Sequence, residues 1–283
     1  MKENYLHIRC QSFLPQHSLS RFAGRIANCK QRWIKNTLIH GFIRHYNVDM
    51  TLAVEENPHR YVHFNHFFTR ALKPEMRPIS NNTRDIVSPV DGTISQIGDI
   101  RKNQLIQAKK INFNLQELLG GVTKIATPFQ GGKFATFYLA PQDYHRVHIP
   151  YRGELKEMVY VPGCLFSVDD HTTKKLPNLF VRNERVIILF STPVGPMAVI
   201  LIGAMLVGNI HITWEGNIIP ATKRHIYHWH YLDNKISLTK GQEIGRFQLG
   251  STVIILFSAH RITWLTELLG RKVIYGQKIG FTL

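Results

Sequence analysis

What this 283-residue sequence lacks narrows it before any motif is considered. Cysteine is scarce: Cys10, Cys29 and Cys164 stand far apart, with neither Cys-x-x-Cys spacing nor an obvious pair. That excludes a disulfide scaffold, argues against a zinc site and fits a reducing compartment. Long apolar runs are missing too. The longest, Met197 to Gly208, carries two glycines and reads as a buried strand pair, whereas a bilayer span takes about 20 residues. The N-terminus has no apolar stretch followed by small residues, so no signal peptide is expected and the protein should be soluble or peripheral. There is no internal repeat and no low-complexity tract. Acidic residues are absent from Asn4 to Val48, where Arg9, Arg21, Arg25, Lys30, Arg32, Lys35 and Arg44 accumulate. Over the whole chain 35 Lys+Arg face 19 Asp+Glu, a formal +16 that suits a polyanion: nucleic acid, an anionic membrane or phosphorylated substrates. With 44% hydrophobic residues, disorder is not expected.

Within the acid-free segment, Leu19, Phe22, Ile26, Cys29 and Trp33 recur at three- and four-residue spacing, which predicts one face of a single helix. Arg21, Arg25 and Arg32 fall on another face, Ser18 or Ser20 is placed to cap the start, and Gly41 falls near the end. Such a helix lies in a membrane interface or packs on a core with its basic side in water. The missing acids favour the membrane, with Leu19, Arg21, Phe22, Arg25, Ile26, Arg32 and Trp33 as the binding residues. Tyr61 to Phe68 reads as a second helix, with His59, His63 and His66 able to share a face. No carboxylate or cysteine joins them, so no metal site is expected there. Phe67 to Ile79, with two prolines and two arginines, is an extended connector.

From about residue 83 short apolar runs alternate with turns: Asp85–Val90, Thr93–Ile97, Phe134–Leu139, Leu155–Val161, Arg185–Phe190, Met197–Leu206, Thr252–Phe257 and Lys272–Ile279. Asn114–Leu119 is a short helix stopped by Gly120-Gly121. The fold class is α+β: N-terminal amphipathic helices in residues 1–82, and a predominantly β catalytic domain of short strands in 83–283.

Three stretches carry residues suited to chemistry. Asp91 lies in Ser-Pro-Val-Asp-Gly-Thr-Ile, where Asp-Gly by itself is a turn. His145 and His148 lie in Asp-Tyr-His-Arg-Val-His-Ile-Pro, a turn entering a strand; two histidines three apart without a placed carboxylate are a weak metal signal. Gly250-Ser251 precedes an apolar strand, where a glycine serves a tight turn or lets a nucleophile approach its carbonyl. Asp91, His148 and Ser251 make a Ser-His-Asp set, which geometry defines and chain order does not. His225, His228 and His230 read as a surface loop with aromatic anchors.

These strings, in this order, resemble the phosphatidylserine decarboxylase proenzymes. Phe67–Ile79, the Asp91 string, Gln107–Gly120, the His145/His148 string, Val161–Val168, Ile202–Gly208 and Gly241–Ile254, with Leu-Gly-Ser-Thr at 249–252, all carry the likeness. It runs from about Leu19 to Gly280, with Lys110 and Phe113 standing where glycine and tyrosine are usual. The resemblance implies self-cleavage between Gly250 and Ser251, with Asp91 orienting His148 and His148 taking the Ser251 proton. It implies a pyruvate cofactor, the pyruvoyl group derived from Ser251, which decarboxylates phosphatidylserine to phosphatidylethanolamine through a Schiff base. His145 then serves the decarboxylation step. The expected partners are phosphatidylserine in an anionic membrane and the two chains 1–250 and 251–283 held together. A homodimer is admitted and nucleic acid is not expected. The expected place is peripheral, on the cytoplasmic face of the cell membrane. Two other readings remain: a hydrolase using the same three residues, which lacks the Gly-x-Ser-x-Gly elbow, and a non-enzymatic basic protein binding membrane or nucleic acid, which lacks a nucleic-acid fold signature.

Overall fold

The computed structural model describes residues 15–109, 111–204, 210–218, 225–231, 235–248 and 251–283. Two helices lead, α1 (Gln16–Ala27) and α2 (Arg32–Tyr46). The single expected helix is therefore broken. Asn28 ends α1, and its side-chain oxygen accepts from the buried Asn65 amide at 2.9 Å, a bond that competes with helix propagation. Helix α1 starts directly after Pro15, so Ser18 and Ser20 sit inside it and cap nothing, and Gly41 lies within α2. Asn47, left-handed at φ 50°, closes α2 instead.

Helix α3 (Phe64–Phe68) is shorter than the sequence pattern implied, because Tyr61 and His63 are extended after a 3-10 turn (Pro58–Arg60). His59 lies in that turn and His63 caps α3, so His59, His63 and His66 do not share one helical face. The helices pack through Ile39, Val48, Tyr61, Phe64, Phe67 and Phe68, with Phe42 meeting the three phenylalanines edge to face. Buried Lys35 donates to the carbonyls of His59 and Tyr61, tying α2 to the segment before α3.

The remainder is built of antiparallel sheets. The largest runs in the order β12 (Tyr227–His230), β7 (Gly153–Val161), β8 (Arg185–Thr192), β9 (Gly195–Ile202), β15 (Ser251–Phe257), β5 (Lys133–Leu139), β2 (Gly92–Asp99) and β17 (Lys272–Val273), with β13 (Ser237–Leu238) also on β7. A second sheet orders β11 (Gly216–Ile218), β10 (Ile210–Ile212), β14 (Glu243–Phe247) and β6 (Arg146–His148). A third joins β1 (Asp85–Val87), β18 (Lys278–Thr282) and β16 (Ile262–Trp264), and β3 (Gln104–Ala108) pairs β4 (Ile111–Asn114). The run expected as a strand pair is one strand, β9, and residues 205–209 lie outside the described part. The expected final segment is two strands, β17 and β18, parted by a turn with Gly276 at φ 86°.

Every residue of β15 is buried, and its two neighbours β5 and β9 pair with it along their lengths. A strand covered on both faces needs an uninterrupted apolar run, which Val253 to Phe257 supplies. Gly92 opens β2 where an added Cβ would lie 2.5 Å from the Tyr138 carbonyl oxygen, so this glycine is a packing requirement as well as a turn residue. Gly24, in α1, has open space around it. Gly92→Ala should therefore lower the melting temperature by several degrees, from roughly 1–3 kcal/mol of overpacking. Gly24→Ala should leave it unchanged or raise it, by up to about 1 kcal/mol of helix propensity. Thermal melts of the two variants beside the parent check both signs.

Candidate active site

Ser251 is the first residue of β15, opposite Leu139 at the end of β5. It is completely buried, and its Oγ finds no hydrogen-bond partner among the described residues. A buried hydroxyl left unpaired costs about 1–3 kcal/mol, so its retention calls for a chemical reason. Gly250, the residue whose carbonyl the sequence pairs with it, lies outside the described residues.

From Leu139 the chain turns through residues 140–145, where Asp143 accepts from the Ala140 N–H at 2.8 Å, and enters β6. This short return carries both histidines. His145 is fully buried; its Nδ1 donates to the Asp143 carbonyl at 2.8 Å, and its ring lies against Phe68 of α3 with centroids 4.2 Å apart. A carbonyl only accepts, so Nδ1 carries the proton and Nε2 is left as a lone pair. That Nε2 is buried with no partner among the described residues. His148 follows the same logic. Its Nδ1 donates to the Gly241 carbonyl at 2.8 Å, leaving Nε2 to accept from the Tyr144 hydroxyl at 3.2 Å. Burial lowers both histidines, His145 to about 3 and His148 to about 4, so both are neutral bases at physiological pH.

Asp91 reaches His148 through an intermediary. Its carboxylate is gripped by Arg77, whose Nε lies 3.0 and 3.1 Å from the two oxygens and whose Nη2 lies 2.6 Å from Oδ2. The backbone N–H of Tyr275 donates to Asp91 Oδ1 at 2.8 Å, and the Tyr275 ring stacks on His148 with centroids 3.8 Å apart and planes 13° apart. No direct hydrogen bond joins Asp91 to His148, or His148 to Ser251, among the described residues. The structure thus draws Asp91, His148, Tyr144 and Tyr275 into one contiguous group. Arg77, Tyr144, Gly241 and Tyr275 escaped the sequence reading as site residues. Tyr144, Arg77 and Gly241 lay inside strings already singled out, while Tyr275 gave no signal.

Arg70 is buried beside this group. Its Nη2 donates to the Gln142 carbonyl at 3.3 Å, and Nε and Nη1 have no partner among the described residues. A recess of about 390 Å³ is lined by Lys30, Val62, His63, Asn65, His66, Thr69, His211, Asn217, Arg246 and Gln248.

The N-terminal residues are placed otherwise. Leu19, Phe22, Ile26 and Trp33 are 37%, 61%, 39% and 73% exposed, which removes the core-packing reading for these side chains. Arg21, Arg25 and Arg32 are exposed as well. The His225–His230 segment is not a loop: Tyr227–His230 forms strand β12, with Tyr227, Trp229 and Tyr231 packed inward against the core. The alternation turns His228 and His230 outward, where His228 Nδ1 lies 2.8 Å from Glu157 Oε1.

The two depressed histidines set an acid limit. An unfolded chain takes up protons on them near their ordinary value of about 6.5, while the folded chain resists until about pH 4 or below. Their contribution to stability is therefore complete above about pH 6.5 and is lost as pH falls toward about 4. Urea midpoints measured from pH 7 to 5, before most carboxylates titrate, should fall with acidification. The double variant His145→Gln, His148→Gln should show a flatter slope, and an equal slope would mean the rings are not held neutral.

Comparison with known proteins bears on all of this. The family model for phosphatidylserine decarboxylase matches residues 64–281, and a second, described as PSD, matches residues 6–47. The chain is 51% identical over 275 residues to the phosphatidylserine decarboxylase proenzyme of Azotobacter vinelandii, covering 95% of this chain and 96% of that one. It is 49% identical over 279 residues to the proenzyme of that name from Pseudomonas putida, covering 97% of each. With the proenzyme from Stutzerimonas stutzeri it shares 50% over 266 residues, 93% of this chain and 89% of that one.

Proposed function

The chain belongs to the phosphatidylserine decarboxylase family, and from that premise we propose that it cuts itself between Gly250 and Ser251 and decarboxylates phosphatidylserine to phosphatidylethanolamine. The observation that carries this reading is the buried Ser251 Oγ at the head of the central strand, without a partner among the described residues. A hydrolase acting on external esters needs its serine open to substrate, whereas a serine that attacks its own chain does not.

The self-cleavage balances as follows. Ser251 Oγ attacks the Gly250 carbonyl carbon, the Gly250–Ser251 amide becomes an ester, and loss of the Ser251 Cα proton expels the Gly250 carboxylate. The dehydroalanine left on residues 251–283 takes up water and releases ammonia, giving the pyruvoyl cap. Neutral His148 is the base for the serine proton. Tyr144, whose hydroxyl occupies His148 Nε2, either turns aside or passes that proton along. Asp91 holds Tyr275 against the His148 ring, and Arg77 holds Asp91 in place.

A pyruvoyl group supplies a carbonyl that withdraws electrons from a bound amine as carbon dioxide leaves. The residues fit it, since the position it would occupy is buried and His145 Nε2, without a partner among the described residues, stands on the return from the paired strand β5. His145 would move the proton at the carbon that loses its carboxylate. Ser251→Ala should leave an uncut chain; His148→Ala and Asp91→Ala should slow or abolish cutting. His145→Ala should cut and yet fail to decarboxylate. Denaturing gels for the 251–283 fragment, beside carbon dioxide release, check all four. A normally processed Ser251→Ala chain sinks the mechanism.

The exposed apolar and basic side chains of the N-terminal helices support docking on an anionic bilayer, on its cytoplasmic face. No helix among the described residues is long and apolar enough to cross a membrane. Leu19, Phe22, Ile26 and Trp33 would enter the interface, and Arg21, Arg25 and Arg32 would add about 1 kcal/mol each. On this reading residues 1–82 seat the enzyme and residues 83–283 do the chemistry. Changing the three arginines to glutamine should weaken vesicle co-sedimentation at low salt and flatten its salt dependence while leaving self-cleavage intact. Unchanged sedimentation removes these residues from the interface.

A further inference from the structure

The recess between α3 and the β10–β14 ladder is lined by basic and neutral side chains, and we propose that it binds the phosphodiester of the lipid headgroup. The proposal rests on the decarboxylase reading and names the residues that hold its substrate. Among the ten lining residues there is no acid. Lys30 and Arg246 bring positive charge, and Arg246 Nε is buried without a partner among the described residues, although its Nη2 is anchored at 3.0 Å on Glu243.

His63, which caps α3, and His66 within it are fixed as donors by the neighbouring backbone. His63 Nδ1 accepts from the His66 N–H at 3.1 Å, and His66 Nδ1 accepts from the Val62 N–H at 3.3 Å. With Nδ1 used as an acceptor, each neutral ring carries its proton on Nε2. The recess therefore gathers two imidazole donors, an ammonium and a guanidinium, with the amides of Asn217 and Gln248. That set matches a phosphate oxygen cluster and repels nothing about it.

Reach agrees with chemistry. Gln248 lines the recess three residues before Ser251, so their Cα atoms are at most about 11 Å apart. In a serine phosphodiester four bonds of about 1.5 Å separate the amine nitrogen from phosphorus, a span of roughly 5 Å. A phosphate held by the recess thus leaves the amine within range of residue 251 once side-chain length is added. At the other end Lys30 stands in the break between α1 and α2, three residues before the exposed Trp33. The recess therefore joins the proposed bilayer face to the reacting residue.

The test uses the mature enzyme in detergent with a short-chain phosphatidylserine. His63→Asp keeps an oxygen acceptor to cap α3 and replaces the donor with a negative charge; Lys30→Gln removes an exposed charge. Each should raise KM about tenfold while kcat stays within about twofold and the 251–283 fragment forms fully. Glycerophosphoserine should compete against the parent enzyme more strongly than inorganic phosphate does, and its Ki should rise with KM in both variants. Inorganic phosphate competing as strongly would mark a free-phosphate site and overturn the headgroup assignment. An active parent whose variants keep the parental KM overturns the recess alone. A cut parent that releases no carbon dioxide overturns the decarboxylase reading beneath it.

Discussion

A carboxylate taken out of water must be fully paired or it neutralises, and Asp91 meets that demand by drawing remote segments together. Arg77 comes from the connector, the Tyr275 amide from the turn between β17 and β18, and Tyr275 lays its ring on His148 of β6. The ion pair is a weak source of net stability, since desolvation offsets most of its attraction. Its effect is placement. It fixes the plane of His148 while the Gly241 carbonyl fixes its tautomer.

The same group crosses the proposed cut. Asp91, Arg77 and His148 precede residue 250, and Tyr275 follows it. Strand β15 pairs with β5 and β9, β18 with β1, and β17 with β2, so the 33-residue piece from 251 to 283 is woven into sheets of the larger chain. Breaking one peptide bond at the head of β15 leaves these ladders intact. The chains need no covalent link to stay associated, and a strand buried on both sides would expose its whole apolar run on leaving.

What the sequence disclosed follows from the range of the forces involved. Strands and the Asn114 helix were legible because periodicity, caps and glycine stops are local: Asn114 does cap that helix, and Gly120 and Gly121 do take positive φ. The helix break at Asn28 was not, because its cause is Asn65, 37 positions away. Strand β12 was missed for the opposite reason. Its Tyr-His-Trp-His alternation is plain, yet histidines drew attention to chemistry and away from period. In the site, Asp91, His145, His148 and Ser251 were marked by strings, and how Asp91 reaches His148 was not. Tyr275 and Gly241 act through backbone atoms and a ring face, which no residue type announces.

Among the buried side-chain atoms without a hydrogen-bond partner, several gather in one place. Ser251 Oγ, His145 Nε2 and two nitrogens of Arg70 lack partners among the described residues. Phe68 of α3 lies against His145 and precedes Arg70; the His145 carbonyl accepts from Phe247; Ser251 faces Leu139 at the start of the return that carries His145. At about 1–3 kcal/mol for each unpaired group, no packing argument retains such a cluster. A core filled by leucine or phenylalanine at these positions would be more stable and inert. The cluster instead leaves the Ser251 hydroxyl, the His145 Nε2 lone pair and two Arg70 nitrogens desolvated without hydrogen bonds among the described residues, while Asp91, Arg77 and the carbonyls of Asp143 and Gly241 hold their neighbours. The proposed reactivity at residue 251 would then rest on withholding hydrogen bonds at the reacting atoms and completing them one layer out.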